Sequence, residues 1–250
     1  MPLPPLPLDS LVLHVEVGSR AFGTSLPGTE DHGELIVILE HPDQVFGLGE
    51  GFKTKMQRTQ PEGVPSEPGD TDRTIYSLRH FCRLAAQGNP SILTALWAPV
   101  LQATPLGERL RSLAPAFIGR HMVARYRGYM RSQTLRLLGL AGGDHGQRRA
   151  ELIAAHGYDT KYAMHAARLG YQCQELLATR SMQLPIPDPV GEWLRSIRRG
   201  EVPFDEWWHR VLQLDERLGW LSSYARIPSD PDRGRIERFL VDAHLSTWGT

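Results

Sequence analysis

The chain has 250 residues, with 28 Lys and Arg set against 28 Asp and Glu, and two cysteines. That length allows two modest domains with a real hydrophobic core, and the charge balance gives no global positive field for a nucleic acid or an anionic membrane surface. Cys82 and Cys173 have no metal-ligand spacing, which argues against a disulfide framework and predicts free thiols in a reducing, cytoplasmic compartment. The Pro-rich start MPLPPLPLDS lacks both the helical apolar stretch and the basic flank of a signal peptide. No apolar run approaches the ~20 residues of a membrane span.

In chain order, Leu11–Val17 (LVLHVEV) is apolar and β-branched enough for a core strand, and it ends at Gly18-Ser19. Arg20–Gly33 has loop composition, and Glu34–Leu39 reads as a second buried strand. Turn-forming residues fill Pro61–Asp72, and a β-like stretch returns at Arg73–Tyr76. Leu78, Phe81, Cys82 and Ala85 then fall on one helical face, and Asn89-Pro90 opens another helix. Further helices are expected at Leu106–Leu113, Pro115–Leu140, Gln147–Ala155, Tyr162–Thr179, Val190–Arg198 and Phe204–Leu221, with a break at Gly139–Gly146. The pattern predicts an α+β fold: a small mixed-sheet domain, 1–103, and a mostly helical domain, 104–250, with the boundary near Ala103.

The strongest local signal is Gly18-Ser19-Arg20-Ala21-Phe22-Gly23 after a strand, followed by an acidic cluster at the mouth of the next strand. Glycine adds no Cβ and adopts positive φ, so backbone N–H groups and the Ser19 hydroxyl can approach a phosphate closely. Carboxylates on the adjacent strand can hold the divalent cations that bridge phosphates during an in-line displacement.

The stretches GSRAFGTSLPGTEDHGELIVILEHP, RTQPEGVPSEPGDTDRTIYSLRHFCRLAAQGNPSIL, HGYDTKYAMHAARLG and IRRGEVP resemble a nucleotidyltransferase family common in actinobacteria and their phages. That family belongs to the DNA polymerase β-type superfamily, and the resemblance runs from about Val12 to His244. It implies a small α/β catalytic domain followed by a helical one. It also implies transfer of a nucleoside monophosphate from a triphosphate to an acceptor, using paired carboxylates and Mg²⁺ or Mn²⁺. Carried over by position, Gly18 and Ser19 match the Gly-Ser that opens the site, and Asp72 matches the third carboxylate. The Asp-x-Asp pair departs from the pattern: Asp31 is kept, but Gly33 stands where its partner is expected. Alternation along an extended strand would then put Glu30, His32 and Glu34 together on the opposite face, a set chemically able to hold a transition metal.

On the predicted Tyr162 helix, Lys161, His165 and Arg168 recur at spacings of four and three and share one face. Stacked cations repel unless an anion answers them. With the family resemblance, this marks a phosphate or acceptor clamp closing from the helical domain. Arg195, Arg198 and Arg199 read as a basic helix end favoured by the helix dipole. Trp193, Trp207, Trp208 and Trp220 read as helix-packing residues.

Three functions fit these residues. One is a metal-dependent nucleotidyltransferase, with Asp31 and Asp72 as catalytic carboxylates and metal ligands, Gly18, Ser19, Lys161, His165 and Arg168 addressing the triphosphate, and a small-molecule or protein acceptor favoured over RNA. A second is a nucleotide-binding pseudoenzyme, explained by Gly33. The third reuses the fold for different, biosynthetic chemistry through Asp72 or the Glu30, His32 and Glu34 set.

Overall fold

The computed structural model describes residues 3–28, 32–49, 51–60, 69–140 and 149–248. Its strands are β1 (Leu11–Val17), β2 (His32–Ile38), β3 (Thr54–Arg58), β4 (Thr71–Ser77) and β5 (Val100–Ala103), in the sheet order β3-β4-β2-β1-β5. Only β2 and β4 run parallel; β1 pairs antiparallel with β2 and β5, and β3 with β4. The mixed sheet with its many helices is the α+β fold expected. Leu13, Val15, Ile36 and Val37 are fully buried, so the centre of the sheet is core on both faces.

Local chemistry sets the helix starts. The Ser77 hydroxyl accepts from His80 N–H at the head of α3 (Leu78–Ala86), whose Leu78, Phe81, Cys82 and Ala85 are buried as their spacing predicts. Asn89 Oδ1 accepts from Ser91 and Ile92 at the head of α4 (Pro90–Ala95). Thr104 caps α5 (Pro105–Ser112), where Gly107 lies so close to the Val12 carbonyl that a Cβ would collide with it.

The chain divides into two compact units, Met1–Phe117 with Pro231–Thr250, and Ile118–Asp230. The division thus falls after Ala103, and the C-terminal helix α11 (Arg233–Trp248) belongs to the first unit. One reason is that α5 packs on β1, and the short turn Ala114–Phe117 packs on α11. Another is a buried anchor: Glu40, 3% exposed, lies 3.2 Å from His244 Nε2, accepts from Arg79 N–H, and receives the Trp248 indole N–H on its carbonyl. Burial pushes the Glu40 carboxyl up, but hydrogen bonds from His244 and Ser77 outweigh it and hold it below the ordinary value. Burial pulls His244 down, and the bond to Glu40 outweighs that and raises it. The two groups therefore stabilise each other as an ion pair.

The second unit contains α6 (Met122–Leu137), α7 (Ala150–His156), α8 (Thr160–Thr179), α9 (Val190–Arg199) and α10 (Phe204–Tyr224). Helix α8 packs against α6, α9 and α10, and the fully buried Trp207 donates its indole N–H to the Ala163 carbonyl at 3.0 Å. The single helix expected over Pro115–Leu140 is interrupted because Arg120 and His121 N–H bond to the Pro228 and Ser229 carbonyls, both at 2.9 Å, and leave the helical path. Trp220 is 60% exposed and Trp208 is half-buried, so these two indoles are not the core residues that their spacing suggested. Among the described residues no helix is long and apolar enough to cross a membrane.

Candidate functional site

Strand β1 ends on Gly18, at φ 88° and ψ −164°, a conformation that L side chains rarely adopt. A single helical turn, α1 (Ser19–Phe22), follows and is closed by Gly23 in the left-handed region. Phe22 N–H returns to the Gly18 carbonyl at 3.2 Å and Thr24 N–H to that of Ser19 at 2.9 Å, while Ala21 and Phe22 are buried. The buried pair fixes the turn against the core and leaves half-buried Ser19 at the C-terminal end of β1.

Register places this turn beside the candidate carboxylate. Val17 pairs with Gly33, Gly33 with Asp72, and Asp72 with Arg58, so one row crosses four strands at one end of the sheet. Paired residues point to the same face, and Asp72 therefore stands next to the position where a second carboxylate is expected. His32 N–H donates to the Asp70 carbonyl at 2.8 Å, and the Thr59 hydroxyl donates to Asp70 Oδ1 at 2.8 Å, which ties the starts of β2 and β4 to the end of β3. Asp72 Oδ1 accepts from Gln60 Nε2 at 3.0 Å and lies 3.3 Å from Arg58 Nε, with a third of the side chain exposed. Asp72 is thus a positioned, solvent-reachable carboxylate, and Arg58 and Gln60 are neighbours that the sequence did not single out.

Gly33 is closed by contact, not by its own dihedral angles. A Cβ there would sit 2.9 Å from the Val17 carbonyl oxygen and 3.1 Å from Val17 Cγ2. Glu30 and Asp31 lie outside the described residues.

The opposite face holds a different arrangement from the metal set expected there. Glu34 Oε2 receives Arg73 Nε at 2.8 Å and lies 3.0 Å from His14 Nε2. Burial raises the Glu34 carboxyl, but Arg73 and then His14 outweigh it and hold it below the ordinary value. Arg20 Nη1 lies 3.2 Å from both ring nitrogens of His32, and Arg20 Nε lies 2.9 Å from Glu16. Glu34 is thus already engaged by a guanidinium and an imidazole, and His32 faces the guanidinium of Arg20, whose charge disfavours a metal cation there. Among the described residues no group of three or more His, Cys, Asp or Glu is placed to hold a metal ion. The hard oxygen donors of Asp72 still suit Mg²⁺ or Mn²⁺, which protein sites commonly bind through one or two carboxylates with phosphates and water completing the shell.

In the second unit, Lys161, His165 and Arg168 form a half-buried polar stripe on α8, between residues that are otherwise buried almost all round the helix. Asp159 caps that helix, accepting from Lys161 and Tyr162 N–H, and also pairs with Arg149 at 3.3 Å. Burial first, and then the charges of Arg168, Lys161, Arg198 and Arg149, push the His165 pKa well below its ordinary value. Burial pulls Arg168 down to about 10, so it stays charged at neutral pH. Four cationic side chains therefore act on His165 from within reach of its charge. Arg149 and Arg198 add to the charge acting on His165; sequence reasoning passed over Arg149 and read Arg198 only as a basic helix end, because both lie on segments outside α8. Arg198 belongs here and not simply to a basic helix end, whereas Arg195 and Arg199 do pair locally, with Asp188, Glu192 and Glu201.

No curated protein matches the chain. One similar solved structure is that of a nucleotidyltransferase-like protein from Exiguobacterium sibiricum, at 9% identity and a TM-score of 0.29, covering 96% of this chain and 71% of that one. The family model described as RlaP, RNA repair pathway DNA polymerase beta family, matches residues 9–199. The chain therefore belongs to the RlaP family of DNA polymerase β-type nucleotidyltransferase-like proteins.

Proposed function

We propose that this protein is a nucleotidyltransferase that binds a nucleoside triphosphate, transfers the nucleoside monophosphate to an acceptor hydroxyl and releases pyrophosphate. The observation that carries this reading is the row Val17, Gly33, Asp72 and Arg58, next to the Gly18-Ser19 turn at the same end of the sheet. The turn offers a hydroxyl and close-approaching backbone to phosphate oxygens, and Asp72 offers a charge held in place by Gln60 and Arg58. In the reaction the acceptor oxygen bonds to the α-phosphorus as the bond from that phosphorus to the bridging oxygen of pyrophosphate breaks. The Asp72 carboxylate orients the acceptor hydroxyl and takes its proton. Mg²⁺ or Mn²⁺ held by Asp72, with Asp31 as the second carboxylate, would supply neutralisation of the phosphate charge.

We take RNA as the acceptor class, in place of the small molecule or protein that a neutral chain favours, because the family description names an RNA repair pathway. Overall neutrality conceals local charge: Arg149, Lys161, Arg168 and Arg198 gather around His165 in a cluster suited to phosphates. A second reading, a nucleotide-binding protein without turnover, draws on the closed position at Gly33.

The test is pyrophosphate release from each of the four ribonucleoside triphosphates with Mg²⁺ or Mn²⁺, with and without RNA bearing a free 3′-hydroxyl. The expected result is release that requires RNA and metal, together with an oligonucleotide lengthened by one nucleotide or more. Lys161→Ala should weaken triphosphate binding by about 1.5–3 kcal/mol, the range for a lost hydrogen bond to a charged group. Binding without any release, under all of these conditions, would favour the second reading. Equal triphosphate affinity of wild type and Lys161→Ala would mean that the α8 stripe takes no part in triphosphate binding.

A further inference from the structure

At the other end of the sheet the first unit has a cavity of about 210 Å³, lined by Glu40, Phe52, Lys53, Arg79, His80 and Arg83 among others. It sits where β4 ends at Ser77 and α3 begins, five residues along β4 from Asp72, or roughly 16 Å at the rise of a strand. A phosphate here is out of reach of Asp72. Lys53 is fixed at the rim by its own backbone, since Ser77 N–H donates to the Lys53 carbonyl at 3.0 Å.

The charges around this cavity run against the electrostatics of the fold. Arg79 stands in the first turn of α3, which contains no acidic residue, so a guanidinium lies at the positive end of the helix dipole. Arg79 and Arg83 are one turn apart on the same helix, a like-charged pair that costs stability. Burial first, and then the charges of Arg83 and Lys53, lower the His80 pKa. Among the described residues no carboxylate comes within ion-pair distance of Lys53, Arg79 or Arg83. Glu40 lies in the wall, but its oxygens are taken up by His244, Ser77 and the Arg79 N–H. Glu237 shares only the adjoining surface between α3 and α11. The first-turn N–H groups of Arg79 and His80 are already bonded to Glu40 and Ser77, so the side-chain cations are what the pocket offers a ligand.

We infer that this pocket is a second anion site, distinct from the Asp72 end of the sheet, which takes a single phosphate group on Lys53, Arg79 and Arg83. Its volume, 210 Å³, is below the roughly 300–1,000 Å³ of pockets that enclose a whole small molecule, so it accommodates a phosphate and not an entire nucleotide. The phosphate comes either from free inorganic phosphate or from an RNA strand, whose terminal or backbone phosphate presents the same oxygens to the same guanidinium forks.

The experiment follows the Nε–Hε resonances of Arg79 and Arg83 by NMR during titration with inorganic phosphate at low salt. It uses the Asp72→Asn protein, so that the outcome does not depend on nucleotidyl transfer. Saturable shifts of both resonances are expected. Lys53→Ala combined with Arg83→Gln should raise the phosphate Kd about ten-fold or more, as expected for losing charge-assisted contacts. Lys53→Ala alone, which leaves the α3–α11 contact intact, should act in the same direction. A 5′-phosphorylated RNA that shifts the signals where its 5′-hydroxyl counterpart does not identifies a terminal phosphate as the source. Shifts with both identify the backbone, and shifts with inorganic phosphate alone identify the free anion. Unmoved arginine resonances, or equal phosphate affinity in wild type and both variants, would overturn the inference.

Discussion

Asp72→Asn is expected to reduce pyrophosphate release by about 10²-fold or more, the scale seen when one group that stabilises transition-state charge is removed. The substitution keeps the size of the side chain and leaves an oxygen for Gln60 Nε2, now at 3.0 Å. The Arg58 contact is lost as an ion pair, but with Arg58 40% and Asp72 32% exposed it contributes little to stability. Folding should therefore be unchanged by circular dichroism and thermal melting while turnover collapses. The loss should fall mainly on kcat, because the proposed role of the carboxylate is toward the acceptor hydroxyl and metal, whereas the proposed triphosphate binding also draws on the Gly18-Ser19 turn. Turnover within a few-fold of wild type would return Asp72 to a structural role, as a partner of Arg58 and Gln60.

The second large effect concerns Gly33. Sequence alternation alone suggests that Gly33→Asp would simply rebuild a two-carboxylate site, with positive φ as the only obstacle. The structure moves the obstacle elsewhere: Gly33 is not among the positive-φ glycines, and the barrier is the Val17 carbonyl, 2.9 Å from the new Cβ. Main-chain atoms yield less readily than side chains, so the ends of β1 and β2 must separate by a few tenths of an ångström. Overpacking of this kind typically costs about 1–3 kcal/mol. The carboxylate would nevertheless stand beside Asp72 in register, and a second ligand strengthens binding of a hard cation. Gly33→Asp is thus expected to lower thermal stability and to tighten Mn²⁺ binding, measured by calorimetry, while increasing pyrophosphate release. Val17→Ala in the same chain should recover only part of the stability, since it relieves the 3.1 Å contact with Cγ2 but not the one with the carbonyl. A folded Gly33→Asp protein with unchanged Mn²⁺ affinity would mean that the row has been remodelled beyond this position.

The geometry of the candidate site was legible in the sequence only in part. The Gly18-Ser19 turn was, because an apolar strand stops abruptly at a residue that tolerates positive φ. Asp72 was legible only through resemblance: its place beside Gly33 depends on parallel pairing between segments nearly 40 residues apart, which no local pattern encodes. The shared face of His32 and Glu34 follows from alternation, but their partners Arg20, His14 and Arg73 come from other elements, and these engage both side chains in hydrogen bonds and, for Arg73, an ion pair. Edge strand β3 escaped notice because its TKMQR is mostly exposed and carries no apolar alternation. Strand β5 is only four residues long and also largely exposed. Helix α11 was missed, and with it the true division of the chain, because its buried Ile236, Phe239, Ala243 and His244 are diluted by charged neighbours.

Paramagnetic broadening by Mn²⁺ with a nucleoside triphosphate present tests the central claim most directly, because it locates the metal and nucleotide without requiring turnover. The expected result is triphosphate-dependent broadening of the backbone amide signals of Gly18, Ser19, Gly33 and Asp72, with those of Ser77 and Arg79 at the far end of β4 spared. Broadening confined to other residues, or none at saturating triphosphate, would contradict the assignment of this end of the sheet as a nucleotidyl-transfer site.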